Sequence, residues 1–177
     1  SRMTRYPETG MLDGTGDIYH VSGLAWRRHH GCRPDESANV AGEVFAPCAA
    51  AALYRREVFL EAGGFDEKYF MYSEDIDLCW RAHLYGMNVE RCEEISIKHF
   101  AGGTGGTTHY RKKGDHEVPL VRRFEVEKNN LRNILKNYQI INLLWVVPLY
   151  EFQSLGECLV YLAPGNFKAM KTVLTAH

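Results

Sequence analysis

Residues 55–86, "RREVFLEAGGFDEKYFMYSEDIDLCWRAHLYG", constrain the fold more tightly than any other stretch. Adjacent glycines, Gly63 and Gly64, close a short helical pattern that starts at Arg55 and Arg56, because glycine adopts the left-handed conformation that ends a helix. A second helix is predicted from Ser73. Serine is a favoured N-cap, and Glu74 and Asp75 fall in the first turn, where the helix dipole favours negative charge. Ile76, Cys79, Trp80 and His83 follow at helical spacing, and Gly86 ends the run. Asp77 and Arg81 stand four apart and can pair on the helix surface. Asp66, Glu67, Glu74, Asp75 and Asp77 lie among Phe65, Tyr69, Phe70, Tyr72 and Trp80. A solvated acidic face has no need of so many aromatics, and a core segment does not want so many acids. The mixture points to a pocket.

Around this segment the pattern is coarser. Residues 1–17 read as loop. "DIYHVSGLAW" carries a strand signal, "GCRPDESANV" reads as loop, and Val44–Leu53 suits a buried strand. "NVERCEEISIKHF" alternates at Ile95 and Ile97 as a strand does, and "AGGTGGTTHYRKKGDHE" is a basic, glycine-rich loop. From Phe124 the pattern is an amphipathic helix, with Phe124, Val126, Leu131, Ile134 and Leu135 set against Arg123, Lys128, Arg132 and Lys136. The apolar run "IINLLWVVPLYEF" is shorter than the ~20 residues of a membrane span, and Pro148 is expected to break it. Between Arg111 and Lys136 eight Lys/Arg face four Asp/Glu. A basic stretch feeding an apolar helix pair fits a membrane-surface anchor, or a surface that docks on another part of the protein or on a second copy.

Composition narrows the function. The 177 residues, 45% hydrophobic and 24% charged, suit a globular chain rather than a disordered one. A net charge of −1 gives no global field for nucleic acid. Five scattered cysteines without C-x-x-C spacing argue against a disulfide framework or a zinc ribbon and suit a reducing compartment. The chain begins at Ser1 in turn-like sequence and is expected to be part of a longer protein.

The run from Cys48 to Thr104 resembles the acceptor half of family 2 glycosyltransferases, the inverting enzymes of the GT-A fold, and is most similar to rhamnosyltransferase-type members. The matching elements, in order, are Arg55–Arg56, Gly63–Glu67, Phe70, Tyr72, Glu74–Asp75, Asp77–Leu78, Arg81 and His99 before a glycine-rich loop. "GDIYHVSGLAWRRHHG" extends the likeness upstream. The resemblance implies an α/β fold: residues 1–115 as the acceptor and catalytic-base half of a GT-A (Rossmann-like) domain, and 116–177 as a helical C-terminal extension.

The resemblance makes Asp75 the catalytic base for the acceptor hydroxyl, with Glu74 in support. It makes Phe70, Tyr72 and Trp80 acceptor-pocket residues and His99 a metal ligand beside the donor diphosphate; a surface histidine at a strand end is the other reading of His99. Arg55 and Arg56 suit a diphosphate or an anionic acceptor, or are helix-start surface charge. Asp66 reads as a turn residue. His29 and His30, beside Arg27 and Arg28, read as a basic loop. The glycine-rich loop is not a P-loop and reads as a lid or as plain disorder.

Further implications are a nucleotide-sugar donor, a glycan or lipid-linked acceptor, and a divalent cation (Mg or Mn) held mainly by an Asp-x-Asp half that this chain lacks. The chain alone is then expected to be inactive. A cytoplasmic position at the inner face of the plasma membrane and a homodimer through the C-terminal helices complete the picture. The Gln-x-x-Arg-Trp signature of processive members is absent, which favours single additions. Two other classes use similar residues. A glycoside hydrolase needs carboxylates that flank a bond, and adjacent helical residues point roughly 100° apart. A non-catalytic glycan-binding or scaffolding module is the other.

Overall fold

The computed structural model describes residues 2–6, 10–34, 42–92, 94–100 and 120–177. The glycine-rich loop read as a lid lies outside them, as does most of "GCRPDESANV". The chain divides into two compact units, each assembled from separated segments. One comprises Ser1–His20, Ala25–Glu67 and Glu74–Ala101; the other Val21–Leu24, Lys68–Ser73 and Gly102–His177.

The first unit is built on a three-stranded sheet and a hairpin. Strands β1 (Arg2–Arg5) and β2 (Leu12–Gly14) fall where the sequence reads as loop. The short polar run of β1 becomes the central strand through partners far away in sequence: β2 antiparallel on one side and β5 (Ser96–His99) parallel on the other. Met3 and Leu12 are buried in consequence. The strand signal in "DIYHVSGLAW" resolves into the hairpin β3 (Asp17–Tyr19) and β4 (Ala25–Arg27).

Val44–Leu53 is not a strand. Ala46 bridges to Asp17, Ala49–Ala51 form a turn of 3-10 helix, and Leu53 is 93% exposed. Pro47 has no amide to donate to a ladder, so pairing stops there. Helix α1 (Arg56–Glu61) ends as expected, with Gly63 and Gly64 at φ +83° and +68°. Helix α2 (Glu74–Leu84) packs Ile76 and Cys79 onto Ala46. The Asp77–Arg81 pair forms, but it is buried rather than on the surface. Asp77 is fully covered, and Arg81 also donates to the Ala62 and Gly64 carbonyls, tying the turn after α1 to α2.

The second unit contains α3 (Leu120–Asn137), α4 (Ile140–Leu162) and α5 (Phe167–Ala176). Pro148 does not break α4, which runs through it. The inward face of α3 is also not the apolar stripe expected. Glu125, Glu127, Asn129, Asn130 and Asn133 are buried with Ile134, while Leu135 is 55% exposed. The polar residues are buried because they have partners. Glu127 takes the Arg123 guanidinium at 2.6 Å and the Tyr150 hydroxyl at 2.8 Å. The asparagines hold the segment Lys68–Ser73. Asn129 Nδ2 donates to the carbonyls of Tyr69, Met71 and Tyr72 at 2.8–2.9 Å. Tyr69 and Ser73 donate their hydroxyls to Asn133 and Asn130.

That segment needs holding. Phe70, Tyr72 and Ser73 all have left-handed backbones (φ +60°, +66° and +63°), each costing of order 1 kcal/mol for a non-glycine residue. Ser73 therefore does not cap α2 in the expected manner, since an N-cap uses extended backbone. Gly23 is required for a different reason: at φ +87°, a Cβ there would land on the Ile134 side chain.

Asn129→Ala leaves three carbonyls of a strained loop without their donor. It is expected to cost about 2–4 kcal/mol of stability, read by urea denaturation.

Candidate active site

Asp13, on β2, is 1% exposed and anchors a polar cluster in the first unit. Its Oδ2 accepts from the Arg27 guanidinium on β4 and from His99 Nδ1 at 2.6 Å, at the end of β5. His30 donates from Nδ1 to the Asp13 carbonyl at 2.9 Å and accepts at Nε2 from Arg5. Arg27, on β4, and His30, in the turn that follows it, are thus both tied to the buried Asp13. Arg27 also reaches Cys48 Sγ at 3.3 Å.

Asp17 stands directly opposite Arg27 in the β3–β4 ladder, which puts both side chains on one face. It is 9% exposed, and its Oδ1 has no hydrogen-bond partner. Burial pushes its carboxyl up to about 7; the Asp75 charge adds to this, Arg27 opposes it, and Asp13 adds a little more.

Asp75 is the second residue of α2. The residue keeps some surface, but its carboxyl is set deep. Oδ2 accepts the Ala49 amide at 3.0 Å and Oδ1 the Ile76 amide at 2.9 Å. Burial raises its pKa; the backbone amides and Arg27 pull the other way and lose. Glu74 is raised by burial in the same sense. Glu74 Oε2 and the Tyr54 hydroxyl are buried without hydrogen-bond partners, as is Asp17 Oδ1. All three groups sense the Asp75 charge. Buried polar atoms in folded proteins are nearly always paired, so three around a single carboxylate without a partner in the protein mark a place where water or a bound molecule supplies it. Cys79, close by, has its thiol pushed up to about 12 by burial and stays neutral.

The other expected site residues are dispersed. Arg55 and Arg56 are exposed at the start of α1. Phe65 packs with Tyr54 and Phe59, and Trp80 stands edge-on to Tyr19 and Phe45 in the hydrophobic core of the first unit. In the second unit Tyr69 is fully buried, Phe70 is 75% exposed, and Tyr72 lies under the Arg122 guanidinium. The aromatics of the acidic stretch are thus divided between the two units. His99, held at Nδ1 by Asp13, has the orientation that a carboxylate gives to a ligating imidazole. Among the described residues, however, no group of three or more His, Cys, Asp or Glu could hold a metal ion.

Asp17 makes stability depend on pH. A carboxyl near 7 in the fold and near 3.8 in the unfolded chain is protonated more readily when folded. Its favourable contribution is present at low pH and is lost as pH rises from about 4 to 7, by at most ~1.4 kcal/mol per pH unit. Asp17→Asn is expected to flatten that slope in denaturation curves taken between pH 4.5 and 7.5.

No family model and no solved structure matches the chain. A stretch of 55 residues is 42% identical to the rhamnosyltransferase WbbL of Escherichia coli (strain K12), covering 30% of this chain and 21% of that protein. The chain thus spans about a fifth of the length of this curated relative, and over that stretch it is glycosyltransferase-like.

Proposed function

We propose that this chain carries the catalytic-base side of an inverting glycosyltransferase of the family 2, GT-A kind. Asp75 takes the proton of an acceptor hydroxyl as its oxygen attacks the anomeric carbon of a nucleotide-diphosphate sugar. The new C–O bond forms, the bond to the diphosphate breaks, and the configuration inverts. One observation carries this reading: Asp75 is a deep carboxylate, aimed by the Ala49 and Ile76 amides, with unpaired polar atoms of Asp17, Tyr54 and Glu74 around it. A raised pKa strengthens a carboxylate as a base, and a positioned base contributes ~10²–10⁴-fold. Glu74 and Tyr54 would supply hydrogen bonds to the acceptor. The partial match to a rhamnosyltransferase supports the class, and makes rhamnosyl donors and lipid-linked or polysaccharide acceptors the first to test.

The divalent cation implied for such enzymes does not find a complete donor set among the described residues. His99 would supply one ligand through Nε2. Asp75→Asn in the active protein is expected to lower kcat by ~10²–10⁴-fold while the nucleotide-sugar still binds. Transfer at the wild-type rate would remove Asp75 from this role. A non-catalytic glycan-binding module predicts unchanged glycan binding and no transfer before or after the substitution.

A peripheral membrane contact is part of the same proposal. Among the described residues no helix is long and apolar enough to cross a membrane. Yet α4 exposes Ile140, Ile141, Leu144, Phe152, Leu155 and Leu159, all more than half accessible. Apolar side chains on the face of a helix, with basic residues nearby in sequence, suit the plane of an anionic lipid surface. Phe152→Glu is expected to reduce co-sedimentation with vesicles containing phosphatidylglycerol at least several-fold. A fall in oligomer size without change in vesicle binding would assign the face to a second copy instead.

A further inference from the structure

An open groove on the second unit has no part in the chemistry proposed for Asp75. It has a volume of about 380 Å³ and is lined by Lys128, Leu131, Arg132, Leu135 and Lys136 of α3 and by Ala176 of α5. Helical spacing explains the lining. Lys128, Arg132 and Lys136 stand four apart and form one ridge of α3, about 12 Å long at 1.5 Å of rise per residue. Leu131 and Leu135, also four apart, form the ridge beside it. A row of cations therefore runs next to a row of leucines. The cations are held in place. Arg132 and Lys136 both lie over the ring of the fully buried Tyr69, at 5.3 and 5.6 Å from its centroid. Arg132 also donates to the Lys68 carbonyl and to Asn129 Oδ1. Lys128 lies over the Phe124 ring at 5.4 Å and pairs with Glu125. Among the described residues the lining itself carries three positive charges and no negative one.

We propose that this groove binds the phosphate headgroup of an anionic membrane lipid, with the lipid's hydrocarbon against Leu131 and Leu135. The proposal rests on the peripheral membrane contact read from α4 and names the lipid chemistry that the same unit recognises. Charge complementarity selects an anion, because ammonium and guanidinium groups form charge-assisted hydrogen bonds with phosphate oxygens. The leucines select an anion that carries hydrocarbon: Leu135 is 55% exposed beside the cations, where a bare ion has no use for it. The rest of the unit selects a bilayer over an acidic peptide. Of the 27 large apolar side chains exposed among the described residues, 15 belong to α3, α4 and α5. A peptide seated in the groove leaves that apolar surface in water. A bilayer takes up both, and attachment to a lipid surface draws on buried apolar area and on attraction to anionic headgroups together.

The test uses the whole chain and needs no transfer activity. In co-sedimentation, the wild type is expected to bind vesicles containing phosphatidylglycerol, to ignore pure phosphatidylcholine, and to be released by added salt. Lys136→Glu changes two charges at an exposed position, each worth about fivefold near an anionic bilayer, and is expected to weaken binding about 30-fold. In nitrogen-15 NMR of the wild type, a short-chain phosphatidylglycerol below its micelle concentration is expected to shift the amides of residues 128–136, and the matching phosphatidylcholine to leave them in place. That measurement decides the matter even where the variant fails to fold. Inorganic phosphate producing the same shifts at the same concentration would overturn the lipid in favour of a free anion. Unchanged vesicle binding by Lys136→Glu, with binding weakened by Phe152→Glu, would reject the groove and leave the α4 contact standing. A wild type that ignores both kinds of vesicle would reject the groove and the membrane contact together. A smaller oligomer in Lys136→Glu with vesicle binding unchanged would give the groove to a second copy of the chain and overturn the proposal.

Discussion

The guanidinium of Arg27 is the interaction on which the first unit depends. It sits where β2, β4 and the Cys48 turn converge, and the buried charge of Asp13 is tolerable only because Arg27 and His99 meet it. Removing one partner from such a pair leaves an uncompensated charge, which costs more than the pair itself contributes. The same cation moderates Asp17 and Asp75, so the scaffold and the candidate site draw on one source of positive charge. Three acids sharing one cation cannot all be comfortable, and the discomfort concentrates on Asp17.

The second unit solves a different problem with neutral groups. A loop with three left-handed non-glycine residues is tied by asparagine amides whose two N–H bonds are shared among three carbonyls. Asparagine brings donor and acceptor without charge, so the buried face of α3 carries them with little desolvation penalty. Glu125 and Glu127 are the exceptions: Lys128 meets the first, and Arg123 and Tyr150 satisfy the second.

Much of the helical framework was legible in the sequence, because helix signals are local. Gly63–Gly64, the acids that open α2 and the Asp77–Arg81 spacing all act within a few residues of themselves. The misread parts depend on distant partners. β1 looks like loop until β2 and β5 flank it. The face of α3 looks apolar by periodicity, until Asn129, Asn130 and Asn133 find a loop from the middle of the chain to bond. Pro148 reads as a breaker, yet α4 runs through it. At the site, Glu74 and Asp75 stood out because the two acids open a helix in a recognisable pattern. Asp13, Asp17 and Tyr54 carry no such signal, and Arg27 reads only as part of a basic loop: they are ordinary residues in short polar runs, and only tertiary structure brings them to the candidate site. The one visible hint was Asp13 and Asp17, four apart about a Gly-Thr-Gly turn, which read as loop chemistry.

The pairing of β1 with β5 also bears on how the protein is made. Thr4 bonds the Ile97 carbonyl, 93 residues further along the chain. A parallel ladder closed over such a distance pays the full loop entropy before it gains any contact, and such topologies form slowly. On the ribosome β1 emerges well before its parallel partner β5. Until β5 arrives, one edge of β1 has no neighbour, and that edge is the one most in need of a chaperone.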